Sequence, residues 1–173
     1  RAVMAAPPPR GFTLLEIMVV LVLVGILASF ALLSAGGGPR ERLAEEARRL
    51  TALVELHQQE AIYRGETRGV RFSQTGYALL SLGDQGEWRP PAASDALTSR
   101  ALPDDLTVKL WIEGQAIDLK NPGESPQVWL LPSGEATEFT AVFGPSDDPA
   151  PSAPFHKVTG DNLGRLTLGE ATR

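Results

Sequence analysis

The sequence predicts an α+β fold: an N-terminal hydrophobic helix, then an amphipathic helix packed on an antiparallel β-sheet head. Three observations carry that reading. An apolar run extends from Phe12 to Leu33. A stripe of apolar residues at helical spacing follows it, from Leu43 to Ala61. Beyond Gly65 the pattern changes to short alternating runs separated by turn residues.

The apolar run comes first. Between Ile17 and Leu33 only Gly25, Ala28, Ser29 and Ala31 interrupt the large apolar side chains. About 20 residues in helical form span a hydrocarbon core, so this stretch reads as a membrane helix. Glu16 lies inside it. A charge at the bilayer centre costs roughly 2.5–3.5 kcal/mol on insertion scales, so this carboxylate needs a partner. A secretory signal is one alternative, but its apolar region is about 7–15 residues long, with a small-residue cleavage site behind it. The run here is longer, and Leu33-Ser34-Ala35 lacks a small residue at its first position. A plain signal anchor fits the length and leaves Glu16 without a purpose. Charge is uneven around the run. Residues 1–11 carry Arg1 and Arg10 and no acid, whereas residues 65–173 carry nine basic and fifteen acidic residues. The positive-inside bias puts the stub in the cytoplasm and the body across the membrane.

Gly36-Gly37-Gly38-Pro39 comes next. Glycine costs about 1 kcal/mol per helix position against alanine, and interior proline about 3. Residues 36–39 therefore read either as a hinge or as the plain end of the membrane helix. An amphipathic helix is expected over 40–64. Leu43, Ala47, Leu50, Val54, His57 and Ala61 recur at steps of three and four, widened by Leu53 and Ile62. Most of the Glu and Arg side chains fall on other faces, so the stripe should pack on a sheet. Gly65 supplies the stop.

Residues 66–173 read as β-rich. Strands are expected at 69–73 and 77–82, joined by Gln74-Thr75-Gly76, and at 106–113, where Leu106, Val108, Leu110 and Ile112 point one way. Further strands are expected at 116–119, 128–131, 138–143 and 163–168. Pro132-Ser133-Gly134-Glu135 makes a turn between two of them. The proline-rich stretches 83–103 and 144–154 read as exposed loops.

The chain shows no sign of catalysis. It has no cysteine, which excludes disulfides and thiolate sites. His57 falls on the apolar stripe and reads as a packed residue. His156 has no acid or nucleophile at a telling spacing. Asp104-Asp105 and Asp147-Asp148 are adjacent pairs, whereas general acid/base carboxylates must oppose each other across a cleft. No calcium-loop spacing occurs. No catalytic residue, metal or cofactor is therefore assigned. Trp88, between Glu87 and Arg89 in a long loop, is the candidate for an exposed contact; a staple over the core edge is the alternative.

Gly11-Phe12-Thr13-Leu14-Leu15-Glu16 resembles, position by position, the processing motif of type IV pilins and type II secretion pseudopilins. The segment from Pro126 to Glu135, with Phe139 after it, is similar to the strand, Pro-Ser-Gly, strand signature of H-type minor pseudopilins and of FimT/FimU-like minor pilins. The resemblance implies a pilin-like architecture: a leader at 1–11, a transmembrane and assembly helix at 12–35, the Gly/Pro segment at 36–39 and a periplasmic head at 40–173. It implies cleavage between Gly11 and Phe12 by a prepilin peptidase, with N-methylation of Phe12. Glu16 would then pair with the freed amine of an adjacent subunit. Such an amine has a reference pKa of about 7.7–8.0. Two unit charges about 4 Å apart attract by roughly 4 kcal/mol at an effective dielectric near 20, comparable to the insertion cost of the acid. The implied function is that of a minor pseudopilin of a type II secretion system, near the tip of a periplasmic pseudopilus that drives exoprotein secretion. The expected partners are the major and other minor pseudopilins, the prepilin peptidase, the inner-membrane assembly platform, the inner membrane itself and the exoprotein. The alternative is a type IV minor pilin in pilus priming or DNA uptake. DNA binding needs cations against phosphates, and an acidic head argues against any nucleic-acid partner.

Two outcomes are expected. Replacing Gly11 leaves the chain unprocessed, with an unshifted band on a gel. Glu16→Ala is still cleaved but enters the fibre poorly, measured as the fraction recovered with sheared or cross-linked pseudopili.

Overall fold

The computed structural model describes residues 14–34, 38–91, 98–146 and 155–171. Gly11, Phe12, the Gly36-Gly37 pair and Asp147-Asp148 lie outside the described residues. The chain divides between Gly37 and Gly38 into two units.

The first unit contains helix α1, Leu14–Ser34. Its large side chains are exposed on every face, from Leu14 to Phe30. At about 1.5 Å per residue, 21 residues of helix reach roughly the thickness of a hydrocarbon core. Taken over the described residues, no helix is long and apolar enough to cross a membrane. In α1 the described side chains end at Phe30, while the helical backbone runs on to Ser34.

The second unit opens with α2, Pro39–Arg64, close to the expected 40–64. Pro39 occupies the first turn, where its missing N–H has no intrahelical partner to lose. Gly65 ends the helix with φ 68°, in the left-handed region, and donates its N–H to the Ala61 carbonyl. Among the described residues ten strands follow: β1 Arg68–Ser73, β2 Gly76–Leu82, β3 Trp88–Arg89, β4 Ser99–Ala101, β5 Leu106–Ile112, β6 Gln115–Ile117, β7 Val128–Leu130, β8 Phe139–Pro145, β9 Phe155–Gly160 and β10 Leu166–Ala171.

They form two sheets where the sequence reading has one. The first runs β3-β2-β1-β7, with β4 also on β2; the second runs β10-β9-β8-β5-β6. Every pairing is antiparallel, so the α+β class holds. Helix α2 packs on strands of both sheets. Leu43, Ala47, Leu50, Val54 and Ala61 are fully buried there. Val70, Phe72, Leu79, Val128 and Leu130 meet them from the first sheet, and Val108, Leu110, Phe139, Ala141, Phe143 and Val158 from the second. Phe72 and Phe139 touch across the two sheets, with ring centroids 6.3 Å apart. Gly160 makes room for that ring: a Cβ there would lie 2.4 Å from Phe139 Cε1.

Four local readings need correction. The Pro132–Glu135 turn does not close a hairpin within one sheet. β7 belongs to the first sheet and β8 to the second, and only a bridge from Leu130 to Ala136 spans the turn. The last strand starts at Leu166 rather than Leu163. Asp161 Oδ1 accepts the N–H groups of Leu163 (3.0 Å) and Arg165 (2.8 Å), holding that stretch in a turn. The stretch 83–103 contains two short strands, β3 and β4, that edge β2. The sequence reading passes over β9, which is central in its sheet. Its inward positions are His156, Val158 and Gly160, so a single aliphatic residue was left to signal it.

A fragment starting at Gly38 contains the whole of this core. It is expected to unfold in one cooperative transition, and Phe139→Ala to lower its stability by about 3–5 kcal/mol in urea titration.

Candidate assembly site

Glu16 lies in the first turn of α1 and is exposed. Helix N-termini favour a carboxylate there by about 0.3–1 kcal/mol. Leu14, Leu15, Ile17, Met18 and Val19 around it are exposed and apolar. Ser29 turns its hydroxyl back on its own helix, donating to the Gly25 carbonyl at 2.8 Å. The result is an apolar cylinder with one carboxylate near its start. The expected cleavage and methylation positions, Gly11 and Phe12, precede the described residues.

The head has a different kind of surface. Trp88, on β3, is half-buried. Its ring meets Trp129 edge-on, with centroids 5.3 Å apart and planes at 69°. Trp129 is the more exposed of the two, at 42%. Val128 and Leu130 take the inward positions of β7, and Trp129 points out. Its indole N–H donates to the Pro126 carbonyl at 3.0 Å, which fixes the ring.

Polar groups inside the head act as ties. Arg68 is buried (2% exposed). It pairs with Glu60, reaches Glu66 at 3.8 Å, and donates from Nη1 to His57 Nδ1 at 2.9 Å. That bond requires an unprotonated Nδ1 on His57. Burial, and next the Arg68 guanidinium, lower the His57 pKa from 6.5 to about 4 against an opposing pull from Glu60. Glu46 is buried on α2 and makes a two-pronged pair with Arg100 of β4. Burial, with Glu46 second, pushes the nearby Tyr77 hydroxyl up to about 12. Gln58 donates to the Gly134 carbonyl at 2.7 Å, tying α2 to the Pro-Ser-Gly turn. These ties escaped the sequence reading, although their positions carried a signal. Arg68 alternates with Val70 and Phe72, and Glu46 and Gln58 sit at helical steps along the buried stripe. Among the described residues no group of three or more His, Asp or Glu could hold a metal ion.

Comparison with known proteins matches this arrangement. Residues 9–32 fit a prokaryotic N-terminal methylation motif, and residues 46–164 fit the family described as type II transport protein GspH. The chain belongs to the GspH family. It is 36% identical to type II secretion system protein H of Escherichia coli strain K12 over 145 residues, covering 78% of this chain and 80% of that one. It is 32% identical to type II secretion system protein H of Pseudomonas aeruginosa over 141 residues, covering 75% and 80%. The fold matches a crystal structure of the minor pseudopilin EpsH of Vibrio cholerae, with TM-score 0.65 at 23% identity, over 78% of this chain and 99% of that one. The two matches fall on different parts of the chain: the methylation motif on the N-terminal segment, and the GspH family on the head of one helix and antiparallel sheets.

The His57 contact gives a pH dependence. Unfolded, the ring takes up a proton as pH falls below about 6.5; folded, it does so only near 4. Stability is therefore full above pH 6.5 and is lost as pH falls through that window. The loss is on the order of 2 kcal/mol after allowing for solvent screening. His57→Gln keeps an acceptor for Arg68 and should flatten that part of the profile in denaturant titrations between pH 7 and 4.5.

Proposed function

We propose that this chain works as a minor pseudopilin of a bacterial type II secretion system, cut after Gly11, N-methylated at Phe12 and built in near the tip of the periplasmic pseudopilus. One observation carries the reading: Glu16 is the only charged residue in α1 and lies in its first turn. A lone carboxylate on an apolar helix is poorly placed in lipid and well placed against a cationic terminus of an adjoining subunit. The N-terminus then lies in the cytoplasm, α1 in the inner membrane and the head in the periplasm. The prepilin peptidase and the inner-membrane assembly platform act on the chain, and the major and other minor pseudopilins surround it in the fibre. Moving an exoprotein outward is the work of the fibre as a whole.

The head acts by contact rather than by catalysis. Its buried charges are engaged in holding α2 to the first sheet, through Arg68 with Glu60 and through Arg100 with Glu46. The type IV pilus alternative has less support. The relatives described above are secretion-system H proteins, and the acidic head is a poor match for phosphates.

Deletion of the gene in its own host tests the reading. Exoprotein retained in the periplasm with normal twitching is expected, and mass spectrometry of the mature chain should find methylated Phe12 as its first residue. Lost twitching with normal secretion would favour the pilus alternative.

A further inference from the structure

A groove of about 790 Å³ opens in the head where the chain crosses from β7 to β8. Trp129, Leu131 and Leu163 give it apolar walls, and Glu113, Glu135 and Glu138 line it with charge. We propose that this groove seats a cationic segment of a neighbouring pseudopilin, with Lys or Arg against the glutamates and an apolar side chain between Trp129 and Leu163. The assignment builds on the pseudopilin reading above.

Charge is the first argument. Every charged side chain lining the groove is a carboxylate. Elsewhere in the head Glu45, Glu46, Glu60, Glu66, Glu87, Asp105 and Asp161 each face an arginine, and the described acids without an ion pair, such as Glu41, Glu55, Asp84 and Asp118, are scattered rather than gathered around one concavity. Among the described residues Glu113, Glu135 and Glu138 enter no ion pair. Three like charges around one concavity repel each other and concentrate a negative potential there. A cation from outside relieves both effects.

Shape and rigidity are the second. Trp129 and Leu163 stand 42% and 58% exposed, so apolar surface is left for a partner to cover. The Trp129 ring is already braced by Trp88 and by its bond to Pro126, and little freedom remains to be lost on binding. The floor is pinned as well. Thr137 N–H donates to the Trp129 carbonyl (2.9 Å), Ala136 N–H to Asn162 (3.1 Å) and Glu113 N–H to Glu138 (3.2 Å).

Size selects the occupant. Stable complexes between free proteins bury about 1,200–2,000 Å², more than a groove of this kind offers, and exposed ion pairs add little. Such a contact works between molecules already held side by side. Subunits of one fibre satisfy that condition through their membrane helices, which raise the effective concentration of one head near the next. A secreted protein passing through does not.

The test uses the full-length chain in secreting cells, with a photoreactive phenylalanine analogue at position 163 and, as control, at position 109 on the outer face of the second sheet. The position-163 probe should capture another pseudopilin through a peptide carrying Lys or Arg. Glu113→Arg with Glu138→Arg should reduce that capture about tenfold. Glu113→Gln with Glu138→Gln, a milder pair, should reduce it in the same direction, and changing the captured cation to Glu should restore capture by the Arg variant. Capture that is indifferent to both pairs, or capture of an exoprotein in its place, overturns the proposal. So does no capture at position 163 in a chain whose Phe12 is methylated; in that case the groove assignment fails and the pseudopilin reading stands. A chain that keeps its leader in those cells overturns the pseudopilin reading and the groove assignment with it.

Discussion

One buried helix face holds two sheets together. The stripe from Leu43 to Ala61 on α2 meets strands of both, and each fully buried large aliphatic side chain contributes about 1.5–3 kcal/mol of transfer free energy. Without that stripe, each sheet would present an apolar face to water. The Phe72–Phe139 contact joins the sheets beneath the helix. Polar ties then fix where along α2 each sheet sits. Glu46 with Arg100 sets the position of β4, His57 and Glu60 with Arg68 that of β1, and Gln58 that of the Pro-Ser-Gly turn. Breaking one partner of such a pair leaves the other buried and uncompensated, so these contacts specify alignment more than they add stability.

Much of this was legible because the strongest patterns were local. The stripe on α2, the Gly65 stop and the alternation from Leu106 to Ile112 each follow from the chain's own periodicity. So does the Gln74-Thr75 turn, which pairs Ser73 with Gly76. What escaped depended on partners far along the chain. β9 puts His156, Val158 and Gly160 inward, and only its neighbours β8 and β10 make that a strand. The division into two sheets depends on β7 choosing β1 over β8, a choice that alternation cannot express. The site splits in the same way. Glu16 announced itself as a charge among apolar residues, whereas the groove beside Trp129 gathers residues from four separate turns and strands.

The two units present different surfaces, and their polar chemistry differs accordingly. α1 leaves its large side chains exposed on all faces, which suits lipid or a sheath of similar helices. The head hides its apolar residues and pairs most of its buried charge. A subunit made this way can fold its head before it joins a fibre, since the core lies wholly after Gly38.

Gln127 shows how such a head avoids unwanted company. β7 is too short to cover the full edge of β1. Next to the end of their pairing, the Gln127 carboxamide receives the Phe72 N–H at 2.8 Å and donates to the Phe72 carbonyl at 3.2 Å. A side chain thus imitates one more residue of strand. An open edge is a template for intermolecular β-pairing, and molecules concentrated on a membrane surface meet each other constantly. Plugging that edge with an amide keeps waiting subunits from sticking through their backbones, leaving side-chain recognition to decide which neighbours join.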